Sequence, residues 1–257
     1  MQRISTPLLA LFIALVSAPV ASVASDSSVV DGFVAGEYRS KAGTNLPYRL
    51  YSPGSAQRGQ TLPLILYLHG SGGAGTDNRK QIVDGNALGT HVWIEPSLRQ
   101  RHPAFVLAPQ IPENATWHSS SDEPSVHVAA LVELLDQLRS QLPIDALRVY
   151  VVGQSRGGFG AWDLIARYPD LFAAAVPLCG GGDTKRILSA RGVVVWAFHG
   201  AKDATVLPLR SREMVDALRT VNPSVRYTEY PDVGHNVWTR AFAERELPEW
   251  LFAQRRR

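Results

Sequence analysis

At 257 residues the chain is long enough to bury the core of one sizeable domain. Hydrophobic residues make up 45% and charged residues 19%, with a formal net charge of +3, which excludes a disordered chain and leaves no nucleic-acid footprint. The one dense basic run, Arg255-Arg256-Arg257, lies at the extreme C-terminal end and reads as a solvated tail.

The elements predicted in chain order begin with an address. Arg3 precedes an apolar run at 8–16 that is short for a bilayer span and breaks at Pro19, and Ser22-Val23-Ala24 offers small residues for cleavage. This reads as a signal peptide over residues 1–24 and an exported protein, periplasmic or secreted, with an uncleaved membrane anchor as the alternative. Residues 25–35 are small and polar and read as a flexible tether, which leaves 36–257 as the folded domain. Residues 38–40 and 48–51 flank a turn at Ala42-Gly43-Thr44-Asn45, predicting an N-terminal antiparallel hairpin.

Beyond the hairpin, strand and helix patterns alternate. Residues 62–68 and 104–107 are continuous apolar runs, as buried parallel strands require. Val128, Leu131, Leu135, Leu138 and Leu142 recur at helical spacing behind Asp122-Glu123-Pro124. Residues 148–152 form a strand with a glycine-bounded exit, and Phe159, Trp162 and Ala166 mark a helix that stops before Pro169. Strands at 172–178, 193–198 and 225–230, a helix at 211–218 and a helical segment at 238–252 complete the pattern. The expected fold is one α/β domain, with a mostly parallel twisted sheet covered by helices on both faces.

The chemistry gathers at strand exits. Gly153-Gln154-Ser155-Arg156-Gly157 falls between a strand and a helix, the setting of a nucleophile elbow. A serine hydroxyl needs a base, and the base needs a carboxylate to orient it. In an open α/β sheet these come from later strand ends, in the order nucleophile, acid, histidine. Asp203 in His199-Gly200-Ala201-Lys202-Asp203 and His235 in Asp232-Val233-Gly234-His235 fit that order. Asp183 is the competing acid, and Asp232 is too near His235 in sequence to orient its ring. For the oxyanion, the donors expected are the backbone N–H groups of Arg156 and of Ser71, with Gly72 as runner-up, in the loop His69-Gly70-Ser71-Gly72-Gly73. His69 and His199 read as loop buttresses. His91, His102, His118 and His127 lack metal-ligand spacing, so no metal and no cofactor is expected. The lone Cys179 excludes an internal disulfide and follows an apolar run, where a thiol is buried rather than reactive.

The segment from Val152 through Gly153-Gln154-Ser155-Arg156-Gly157-Gly158-Phe159-Gly160-Ala161-Trp162-Asp163-Leu164 to Tyr168-Pro169 resembles the predicted-peptidase and esterase group of the α/β-hydrolase superfamily. Dienelactone hydrolase and the feruloyl and acetylxylan esterases are relatives of that group. Leu66-Tyr67-Leu68-His69-Gly70-Ser71-Gly72-Gly73, Cys179-Gly180-Gly181-Gly182-Asp183 and His199-Gly200-Ala201-Lys202-Asp203 are similar to it too, so the resemblance runs from about Tyr48 to Trp250. It implies an α/β-hydrolase fold and triad roles for Ser155, Asp203 and His235. Methionine is usual after the nucleophile; Arg156 departs from that and implies either a taste for anionic substrates or a structural salt bridge.

Residues 180–191 leave no room for a helical cap, so an open site is expected, suited to bulky or polymer-linked esters. Trp117, in the polar loop 112–123, is expected either to line the acyl or alcohol pocket or to be an ordinary packing residue. The same loop holds the sequon Asn114-Ala115-Thr116. The leading function is ester hydrolysis through an acyl-enzyme. A serine peptidase of the prolyl-oligopeptidase-like group and a catalytically silent binding protein are the alternatives.

Overall fold

The computed structural model describes residues 28–54 and 59–256. The signal peptide expected over 1–24 lies outside these residues.

The central strands are hydrophobic throughout because helices cover both of their faces. β4 (Leu62–Leu68) and β5 (Phe105–Pro109) are buried at every position. β6 (Ile144–Gln154), β7 (Ala174–Leu178), β8 (Val194–Gly200) and β9 (Arg226–Tyr230) follow in parallel. The strand period of two sends Leu64, Leu66 and Leu68 to one hydrophobic cluster and Ile65 and Tyr67 to the other. α3 (Val126–Gln141), α4 (Arg156–Arg167) and α5 (Leu209–Arg219) cover the first face. α1 (Ala87–His91), α2 (Pro96–Arg101), α6 (Trp238–Ala241) and α7 (Glu246–Phe252) cover the second. The helix expected over 238–252 is therefore two; Pro248 falls in the first turn of α7, where its missing N–H costs no helical bond.

Three antiparallel strands extend the sheet at its N-terminal edge: β1 (Val29–Val30), β2 (Phe33–Arg39) and β3 (Asn45–Tyr51). Among the described residues the nine strands run β1-β2-β3-β5-β4-β6-β7-β8-β9. The β2–β3 pair is the expected hairpin. The tether expected over 25–35 is corrected from residue 28 onward, because β1 and β2 pair through an Asp31-Gly32 turn with both residues at positive φ. Asp-Gly between apolar pairs is a strong tight-hairpin signal, and burial of Phe33 anchors the turn to the core. Residues 25–27 lie outside the described residues.

Between β7 and β8 the chain makes only a short 3-10 turn, Arg186–Ala190, and among the described residues no cap covers the C-terminal edge of the parallel strands.

Candidate active site

β6 ends at Gln154 and α4 begins at Arg156, so Ser155 alone makes the corner, at φ 53° and ψ −117°. A non-glycine residue held there is strained by about 1–3 kcal/mol. The corner closes because its neighbours lack side chains. A Cβ on Gly153 would lie 2.0 Å from the Gly157 carbonyl oxygen, and one on Gly157 would lie 1.9 Å from that of Leu68. Ser155 N–H donates to Leu178 O at 2.9 Å, which fixes the corner to the end of β7.

Ser155 Oγ lies 2.9 Å from Nε2 of His235, and His235 Nδ1 lies 2.8 Å from Oδ2 of Asp203. A carboxylate only accepts, so Nδ1 carries the proton and Nε2 is free to take the one on Ser155. The Asp203 side chain is fully buried. Burial disfavours its charge, but hydrogen bonds from His235 and from the Val206 and Thr205 N–H groups outweigh that and hold its carboxyl below the usual range. The structure thus brings Ser155, Asp203 and His235 into one hydrogen-bonded chain. It does not bring Asp183 there: that side chain caps its own loop through the Lys185 and Arg186 N–H groups. Asp232 pairs with Arg240 at 3.4 Å.

The glycine loop is pinned from three sides. Gly70 N–H donates to Asn86 Oδ1 at 3.0 Å, Gly70 O accepts from His69 Nδ1 at 2.7 Å, and His69 O accepts from Trp117 Nε1 at 3.3 Å. His69 Nε2 in turn accepts from Ile111 N–H at 3.2 Å, and burial pushes the ring's pKa down to about 4. His69 is therefore a neutral buttress. Among the described residues, the N–H groups of Ser71, Gly72 and Arg156 have no hydrogen-bond partner within the protein, as oxyanion donors require.

Trp117 is corrected as a pocket residue. It is fully buried, edge-on to His69 at 5.2 Å, and its Cβ packs against Gly160. Its bulk lies beneath the glycine loop and supports it. The Arg156 side chain takes neither expected course. Its Nη1 donates to the carbonyls of Glu113 and Ala115 at 3.1 and 3.2 Å, tying α4 to the loop that holds Trp117.

A cavity of about 380 Å³ opens beside Ser155 and His235, walled by residues 70–72, the 3-10 turn Asp84–Asn86, Gln154, Thr205 and Trp238. The Trp238 ring stands edge-on to His235 at 5.5 Å. Trp238 and Asn86 escaped the sequence reading. Trp238 follows His235 by three residues and was legible only as a helix start, while nothing in residues 74–101 announced Asn86. A larger groove of about 520 Å³, lined by Pro169, Arg191 and Arg256, lies by the N-terminal ends of β7 and β8 and has no serine–histidine pair.

Residues 40–221 match the family model "Putative esterase". "Putative esterase NocK" of Nocardia uniformis subsp. tsuyamanensis is 27% identical over 146 residues, covering 54% of this chain and 39% of that protein. "Poly(3-hydroxyalkanoate) depolymerase C" of Paucimonas lemoignei is 40% identical over 52 residues, 20% of this chain and 13% of that one. The chain thus spans well under half the length of these two curated relatives. A crystal structure of a thermostable esterase superposes with a TM-score of 0.83 at 35% identity, over 88% of this chain and 64% of that one.

Proposed function

We propose, from the premise that the chain belongs to the esterase family whose model it matches, that it hydrolyses carboxylic esters through an acyl-enzyme on Ser155. The observation that carries this reading is the continuous chain from Ser155 Oγ through His235 to the buried Asp203. A scaffold kept only for binding has no need of it.

His235 Nε2 takes the Ser155 proton as Oγ attacks the ester carbonyl. The N–H groups of Ser71 and Arg156 receive the oxyanion. His235, now doubly protonated and held by Asp203, gives its proton to the departing alkoxide, and the alcohol leaves. A water then enters, passes a proton to His235 and attacks the acyl carbon. Collapse of the second tetrahedral intermediate returns that proton to Ser155 Oγ and releases the acid.

Among the described residues no cap covers the site, and a site open in this way favours esters whose acid or alcohol is bulky or attached to a polymer. Feruloyl and acetyl esters belong to that class, and the segment similar to a polyester depolymerase points the same way. Export through the N-terminal signal would place the enzyme where such substrates are met.

The test is hydrolysis of p-nitrophenyl acetate and butyrate beside Ser155→Ala. Turnover by the wild type and a loss of at least ~10³-fold in the variant is the expected result. Equal activity in both would remove Ser155 from the reaction, and equal inertness would remove the esterase reading.

A further inference from the structure

The carboxylate of Asp203 has a second histidine against it. His199, near the end of β8, is fully buried, and its Nε2 lies 3.3 Å from Asp203 Oδ2. That is the same oxygen that accepts from His235 Nδ1 at 2.8 Å. Hydrogen counting assigns the ring's tautomer. Nε2 is 2.8 Å from the Val206 carbonyl, which can only accept, so Nε2 carries a proton. Burial pushes the ring below the usual histidine range, against the pull of the Val206 carbonyl, Asp203 and Glu229. The ring is therefore neutral, and Nδ1 accepts from Ser211 Oγ at 2.7 Å. Ser211 Oγ lies 3.0 Å from the Gly180 carbonyl as well, so its single proton is shared between that carbonyl and Nδ1, which links β8 to the turn after β7. One N–H of His199 thus faces two acceptors, the nearer Val206 O and the farther Asp203 Oδ2.

We infer that His199 is a positioning residue for the proposed reaction: its shared Nε2–H holds the Asp203 carboxylate against His235 and takes up part of that carboxylate's charge. The inference rests on the reading of Ser155, His235 and Asp203 as the catalytic chain. Among the described residues, three other titratable or charged groups bear on the ring. Glu229 is its register partner on β9 and is held by Arg212 of α5, and His235 lies behind Asp203. Without the His199 donor, the full charge of Asp203 falls on the His235 ring, whose cationic form it stabilises.

The experiment measures kcat and KM against pH on a neutral p-nitrophenyl ester for the wild type, His199→Phe, His199→Asn and His199→Gln. Phenylalanine keeps the ring and removes the donor. Asparagine keeps an amide near Ser211 but is too short to reach Asp203, and glutamine restores a donor near the position of Nε2. The acid limb of kcat/KM moves up by about 0.5–1 pH unit in the Phe and Asn variants and returns toward the wild type in Gln. The kcat falls roughly tenfold in the first two with KM within about twofold, since geometry at the reacting serine is what is lost. If the Phe variant does not fold, the Asn and Gln pair decides by the same comparison. Coincident acid limbs across the folded variants would overturn the inference and leave His199 as packing. Turnover that survives Ser155→Ala is a separate result, which would sink the underlying reading instead.

Discussion

Cys179 shows how one residue can sit beside reactive groups and take no part in the chemistry. It is fully buried, adopts φ 41° at the end of β7, and places Sγ 3.6 Å from the His235 carbonyl oxygen. Burial raises its thiol pKa far above the ordinary value, so no thiolate is available. Folded protein is expected to resist a neutral thiol reagent such as iodoacetamide at pH 8, and to react once unfolded in guanidinium. Rapid labelling of the native chain with loss of activity would contradict this. The inert thiol was legible in the sequence, because an apolar strand leads into it. Ser155 was legible for a stronger reason: small residues two positions to either side are a steric requirement of the corner, so the requirement is written locally. Asn86, Trp238 and the true place of Trp117 were not legible. Each depends on which distant loop lands beside it, and a polar loop around Trp117 says nothing about the glycine loop above it.

At the scale of elements, the segment 112–117 and the start of α4 are held together by the Arg156 guanidinium, which bonds the Glu113 and Ala115 carbonyls. Arg156→Met, the residue usual in the resembled group, leaves those two partly exposed carbonyls to water. It is expected to cost about 1 kcal/mol, a fall in Tm of roughly 2–4 °C. Anionic and neutral esters should be affected alike, because the guanidinium is committed to the loop. A selective loss on anionic esters, with Tm unchanged, would assign Arg156 to substrate instead. The elements themselves were readable wherever one periodicity ran long enough: β4, β5, α3 and α4 appear where their apolar patterns place them. The β1–β2 hairpin is not legible in the composition of residues 25–35; its signal is the turn chemistry of Val29-Val30-Asp31-Gly32-Phe33-Val34. Short α1 and α2 carry too few turns for a period to emerge, and they exist by docking on the second face of the sheet.

Over the whole molecule, stability is tied to pH through buried groups that also hold the site. His69 has a pKa of about 4 in the folded chain, against 6.5 for an ordinary histidine. Between those values the unfolded chain binds a proton that the folded chain refuses, so stability falls as pH drops from 6.5 toward 4. The gap is worth roughly 3 kcal/mol in full and about 2 kcal/mol at pH 5. Asp203 adds to this at lower pH: its depressed carboxyl contributes stability above the unfolded value, which is lost as pH falls through the folded one. Urea midpoints should therefore drop between pH 7 and pH 5 in the wild type and drop much less in His69→Gln. An identical decline in both would mean that His69 is not the group responsible. The sheet that buries His69 and Asp203 also carries Ser155, Asp203 and His235 out at one edge, so acid weakens fold and site together.

The central claim is that Ser155 is the nucleophile of an intact, activated chain. Its most direct measurement is covalent labelling of the native protein with a fluorophosphonate, followed by mass spectrometry of the digested chain. The account predicts one added phosphonyl group, on the peptide holding Gly153-Gln154-Ser155-Arg156-Gly157 and specifically on Ser155, with none on Ser155→Ala or on unfolded protein. A native chain that takes up no label, or takes it on another residue, would contradict the claim.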